Sequence, residues 1–163
     1  MSKASSAARA GNALSRSRAR LAAVQALYQM DMAETDLNEV IDEFKTHRLN
    51  IDAEDGTVAG ADPEHFARVL NGVVKRQLEL DPLIDQQLAT GWRLVRVDAI
   101  LRAILRAGGF ELMELTDVPV RVVISEYIDV AHAFFEAEEP RVVNGVLDQM
   151  ARKLRPGGLP DKK

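Results

Sequence analysis

Cysteine is absent from the 163 residues, which removes disulfides, thiolate metal sites and a thiol nucleophile together. No apolar run approaches the roughly 18 residues that a bilayer-spanning helix needs. The basic N-terminus lacks the apolar stretch of a secretory leader, because Arg16, Arg18 and Arg20 interrupt it. A cytoplasmic protein without membrane contact is therefore expected. Neither GxxxxGK followed by Ser or Thr nor a strand-linked GxGxxG occurs, so nucleotide cradling has no support. None of the histidines (His47, His65 and His132) stands beside a serine and an acid in a nucleophile arrangement. Asp129 and His132 make a single Asp-x-x-His, whereas a carboxylate-bridged dimetal bundle needs two such motifs and further acids. No metal or cofactor is expected, and a binding role is favoured over catalysis.

Acids are also missing, but only locally. The first 20 residues carry Lys3, Arg9, Arg16, Arg18 and Arg20 and no acid. Of 21 basic and 25 acidic residues in the chain, that leaves 16 against 25, a net −9, for residues 21–163. The overall pI of about 5.4 hides this basic arm on an acidic body. Charge alone admits two readings of the arm: a contact for a polyanion, or a solubilising tail.

The apolar spacing is helical from residue 15 to residue 155. Residues 1–14 are small and polar and read as a disordered basic arm, and the Pro- and Gly-broken residues 156–163 read as a flexible tail. Leu21, Val24, Tyr28 and Met32 recur at three or four positions, as one helical face requires. Asp36 and Asp62 are candidate N-caps, the second followed by Pro63, with residues 48–61 between them as an exposed loop. Phe66, Val69, Leu70, Val73 and Val74 line a third helix. Asp81–Pro82 repeats the start signal for a fourth, which Gly91 ends. The most apolar segment carries Val97, Ile100, Leu101, Ile104, Leu105 and Leu112 and reads as the central helix. Its Gly108 and Gly109 weaken a helix, so their use is the close approach of a neighbour. The β-branched run Val122–Val123–Ile124 lies within four turns of helical spacing, which outweighs its strand propensity. A last helix turns Val143, Val146, Leu147, Met150 and Leu154 inward. The expectation is an all-α domain of about seven helices.

Taken in order, "RARLAAVQALYQMD", "LNGVV", "AILRAILR", "FELMELTDVPVRVVISEYIDVA" and "VVNGVLDQM" resemble segments of the NusB family of bacterial transcription antitermination factors. The likeness spans about residues 15–155. The resemblance implies a bundle of two packed helical subdomains and a function without catalysis. It implies binding of boxA-type single-stranded RNA in ribosomal RNA leader transcripts, jointly with the small-subunit ribosomal protein NusE. The pair would act within an antitermination complex on RNA polymerase.

By the same resemblance, the RNA-binding residues are Arg16, Arg18, Arg20, Tyr28, Phe134, Glu138 and Arg141. Arg16 and Arg20 are four apart on one helical face, with Arg18 pointing elsewhere. Guanidinium groups bind phosphate through two donors and stack on bases, and the positive end of the helix dipole adds to the attraction. Tyr28 serves equally as a base-stacking ring or a half-buried core residue. The protein-partner surface maps to Arg96, Leu101 and Arg102. Arg106, Glu111, Glu126 and Asn144 read as structural, with Arg106–Glu126 as an expected ion pair and Trp92 as a core or subdomain-junction anchor. Two rival classes are an rRNA methyltransferase module, which would need a cofactor-binding half, and a homodimer whose arm serves solubility. Three to five neutralised phosphates predict a log–log salt slope of roughly −2 to −3.5 for single-stranded RNA.

Overall fold

A computed structural model describes residues 3–52, 57–89 and 92–160. The chain divides into two compact units, residues 1–71 and 72–163. Six α-helices account for most of the described residues, and no strand occurs among them.

In the first unit, α1 (Lys3–Ala33) and α2 (Leu37–Glu43) precede a single π turn, Phe44–Arg48. The helix α1 starts well before residue 15, where the apolar pattern begins. Alanines at positions 4, 7, 8, 10 and 13 supply helix propensity there without any apolar stripe. Further along, Ala19, Ala22, Ala23 and Ala26 are buried with Val24 and Leu27, while Met32 is 62% exposed. α1 stops at Glu34, whose φ of 52° takes the left-handed conformation that usually falls to glycine at a helix end. Asp36 caps α2 by accepting from the Asn38 backbone N–H at 3.1 Å. Phe44 stacks on Phe66 with ring centroids 5.2 Å apart, and the Arg48 guanidinium lies 4.5 Å over the Phe44 ring. The segment expected as an exposed loop packs down instead: Val58, Ala59 and Ala61 are buried. Residues 53–56 of that loop lie outside the described residues, as do Gly91 and residues 161–163 of the tail.

α3 (Pro63–Gln87) opens where expected, with the Asp62 carboxylate accepting from Glu64 and His65 N–H at 3.0 and 3.1 Å. The break expected at Asp81–Pro82 does not occur, so six helices stand where seven were expected. Pro82 lies inside α3 and cannot donate to the Leu78 carbonyl, but Leu78 is 92% exposed, where water can take that bond.

In the second unit a 3₁₀ turn, Leu94–Arg96, leads into α4 (Ala99–Glu114), followed by α5 (Val120–Phe134) and α6 (Glu139–Leu154). These three helices pack on one another, with α4 the most buried, as its composition required. Its glycines admit neighbours: a Cβ on Gly108 would stand 2.8 Å from Leu147 Cδ1, and one on Gly109 2.9 Å from Met150 Cε. Tyr127 donates to the Glu111 carboxylate in the interior, where both residues are fully buried. Arg106 grips Asp81 with two parallel bonds of 2.9 and 2.8 Å, a partner 25 positions away that helical spacing does not point to.

The segment after α6 is not loose throughout. Arg155 donates to the carbonyls of Glu111, Leu112 and Leu115 at 2.7, 2.9 and 2.7 Å, and also to that of Val118. Glu111 and Leu112 lie in the last turn of α4 and Leu115 and Val118 just beyond it, so one guanidinium ties the end of the helix to the connection that follows. Burial pushes the Arg155 pKa down, against the opposing pull of Asp117 and Glu111. Arg152 donates to the Pro160 carbonyl at 2.8 Å and holds the chain beyond.

Candidate nucleic-acid interface

The acid-free arginine cluster is divided by its position along α1. Arg16 is exposed. Arg18 is half-buried and donates from Nη1 to the Ala59 carbonyl at 2.7 Å. The adjoining backbone is tied as well: Ser15 Oγ donates to the Gly60 carbonyl at 3.0 Å, and the Asp62 N–H donates to the Ser15 carbonyl at 3.0 Å. Gly60 takes a φ of 79°, which lets the chain turn beneath Arg18.

Arg20 corrects the sequence reading. At 1% exposure it is among the largest fully buried side chains, and it is engaged by a neighbour there. The spacing of four did put Arg16 and Arg20 on one face. One turn of helix separates the solvated end of α1 from the part flanked by buried alanines, and Arg20 falls on the inner side. Tyr28 is 37% exposed, which leaves ring area open to a stacking base.

In the second unit Phe134 ends α5, Glu138 lies in the connection to α6 and Arg141 within α6, and all three are exposed. Arg141 lies in the first turn of α6, its N–H bonded to the Glu138 carbonyl at 3.0 Å, and Pro140 between them is buried. An aromatic ring, a carboxylate and a guanidinium are thus exposed within eight residues of one another around this connection.

The expected protein-partner surface does not assemble as read. Leu101 is 1% exposed and belongs to the core, because α4 is buried on that side. Arg102 directs Nη1 at the carbonyls of Leu94, Val95 and Val97, at 3.4–3.5 Å, and holds the 3₁₀ turn. Arg96 alone of the three is exposed. Trp92, expected as a core or subdomain-junction anchor, is 39% exposed and so not a core residue. It helps line a cavity of about 330 Å³ with Arg93, Arg96 and Glu139, a site that sequence reasoning missed. Short-range pattern held no signal for it beyond the coincidence of tryptophan and two arginines within five residues.

Among the described residues no group of acids and histidines could hold a metal ion, and no helix is long and apolar enough to cross a membrane. The fold and the exposed arginines and aromatics together define an all-helical binding protein. The NusB family model matches residues 17–152. The chain is 55% identical over 142 residues to the transcription antitermination protein NusB of Nitrobacter hamburgensis, covering 87% of this chain and 89% of that protein. It is 51% identical over 140 residues to the same-named protein of Allorhizobium ampelinum, covering 86% and 88%. Among solved structures, T. maritima NusB superimposes with a TM-score of 0.72 at 29% identity, over 86% of this chain and 93% of that one. A structure of the antitermination factors NusB and NusE in complex with dsRNA superimposes with a TM-score of 0.69 at 25% identity, over 85% and 97%. The chain belongs to the NusB family, whose named members here are antitermination proteins and not enzymes.

Proposed function

We propose that the chain is a transcription antitermination factor that binds the boxA element of ribosomal RNA leader transcripts together with NusE, within an antitermination complex on RNA polymerase. The observation that carries the reading is the match to a family whose solved relatives include NusB held with NusE and RNA. Arg16, Arg18 and Arg141 are the phosphate contacts on this reading, while Phe134 and Tyr28 offer rings to unstacked bases. Glu138 beside Arg141 lowers affinity by repelling phosphate, which favours a site completed by a partner protein. The cytoplasm is where such a transcript is available.

The deciding experiment is a pull-down of boxA RNA by this chain, with and without NusE, using a single-stranded and a double-stranded form. Retention of the single strand, strengthened by NusE, is the expected result. Equal retention of a scrambled strand with NusE present overturns it. A homodimer occluding the arginines is the second reading, and size-exclusion chromatography with and without RNA separates it: a dimer that RNA leaves intact speaks against the proposal.

A further inference from the structure

Residues 58–62, which lead into α3, meet the arginine head of α1 at three bonds within one helical turn. Ser15 Oγ donates to the Gly60 carbonyl at 3.0 Å, the Asp62 N–H donates to the Ser15 carbonyl at 3.0 Å, and Arg18 Nη1 donates to the Ala59 carbonyl at 2.7 Å. The segment is itself held. The Gly60 N–H donates to the Leu49 carbonyl at 2.9 Å and the Ala61 N–H to that of Val58 at 3.1 Å, and Val58, Ala59 and Ala61 are buried. Asp62, whose N–H reaches α1, caps α3 with its carboxylate. The left-handed backbone at Gly60 lets the carbonyls of Ala59 and Gly60 both meet the same stretch of α1.

The segment does not depend on Arg18 for its place. Ser15, Leu49 and the three buried side chains anchor it whether or not a guanidinium is present. Arg18 gains more from the contact. A guanidinium is planar with its donors in a rigid fork, so a bond from Nη1 to an anchored carbonyl restricts the orientation of the whole group. An untethered arginine must give up rotamer freedom when it closes on a phosphate, whereas a tethered one has given it up in folding. Arg18 is only half-buried, so the restrained group still reaches solvent.

We infer that residues 58–62 are a positioning device for Arg18, with Ser15 and Gly60 as the positioning residues: they hold the guanidinium ready for an RNA phosphate and raise affinity without touching the strand. The inference rests on the RNA-binding reading above and deepens it. It also gives Ser15 a task within "SRSR", since its hydroxyl fastens the helix to the segment that orients Arg18.

A double-mutant cycle tests it. The full chain, with and without NusE, is titrated against a fluorescently tagged boxA single strand, and anisotropy gives the affinity. Ser15→Ala removes one hydroxyl, and Gly60→Ala forces a side chain into left-handed backbone with its Cβ 3.5 Å from Arg18 Nη1. Arg18→Ala is expected to weaken binding about tenfold, and Ser15→Ala or Gly60→Ala about threefold each. In the Arg18→Ala background neither should have any further effect, because both act only through that guanidinium. Thermal melts run beside each titration, and if Gly60→Ala melts early, the Ser15→Ala cycle decides, since it leaves the backbone unstrained. A threefold loss that persists in the Arg18→Ala background overturns the inference, as does full affinity in Ser15→Ala or in Arg18→Ala; each leaves the RNA reading in place. No binding of the strand by the unaltered chain, with or without NusE, removes both.

Discussion

Three arginines two positions apart have three separate fates, and the difference is measurable. Arg16→Ala removes an exposed cation and leaves the core untouched, so RNA affinity should fall about three- to tenfold with the melting temperature unchanged. Arg20→Ala does the reverse. It opens a cavity and strands the group that Arg20 engages, at a cost of about 3 kcal/mol. Thermal denaturation followed by circular dichroism, beside an RNA-binding isotherm, checks both at once; an Arg20→Ala variant that melts normally and loses RNA would return Arg20 to the interface. Arg155 makes a parallel case at the other end of the chain. Four carbonyls accept from its guanidinium, two of them with a backbone donor as well, so Arg155→Ala should cost about 2–4 kcal/mol, and Arg155→Lys should recover only part, because one ammonium cannot fork to four acceptors. Equal stability of the alanine and wild-type chains in urea refutes the clamp. The lowered pKa carries the opposite sign: burial disfavours the charged guanidinium, so the shift by itself subtracts from stability at neutral pH, and the carbonyl bonds must outweigh it.

At the scale of the element, local pattern carried far. The caps at Asp36 and Asp62, the buried α4 and the close approaches at Gly108 and Gly109 all follow from residues within a turn or two of one another. Gly108→Ala must push Leu147 aside by several tenths of an ångström, and we expect a loss of about 1–3 kcal/mol despite alanine's better helix propensity. A stabilised variant by calorimetry means that the contact yields freely. Glu34→Gly tests the opposite sign. Its left-handed backbone suits glycine, so the substitution should stabilise by about 0.5–1 kcal/mol, read as a shift in the urea midpoint. What local pattern did not reveal is non-local. Pro82 continues α3 because Leu78 is solvated, the Asp81–Arg106 fork joins residues 25 apart, and Arg155 reaches back some 40 positions to α4. The candidate site was legible to the same degree: exposed Arg16 and the α5–α6 connection followed from the family likeness. Burial of Arg20 and Leu101, and the exposure of Trp92, depend on which side of each helix the core closes over.

Over the whole molecule the balance is a short cationic head against 143 residues of net charge −9, so RNA affinity is expected to be modest and strongly dependent on partner and salt. With Arg20 interior and one nitrogen of Arg18 held by Ala59, the arginine contacts that the family likeness gave reduce, among the described residues, to Arg16, Arg18 and Arg141. Two to three neutralised phosphates give a log–log slope of about −1.4 to −2.1 for single-stranded RNA, shallower than the arginine count alone implied. Anisotropy titrations between about 50 and 200 mM salt measure it directly. Arg16→Ala should flatten the slope by about 0.7, one phosphate's worth, whereas Glu138→Gln should raise affinity without changing the slope, because it removes a repulsion and adds no contact. Adding NusE should steepen the slope by whatever phosphates that protein itself holds, and the increment should be the same for wild type and Arg16→Ala if the two contacts are independent. A slope near −3.5 for the chain alone would mean that cations beyond these three touch the strand. Lys3 and Arg9 at the head of the sequence are the first to replace in that event, singly and together, with the slope as the readout.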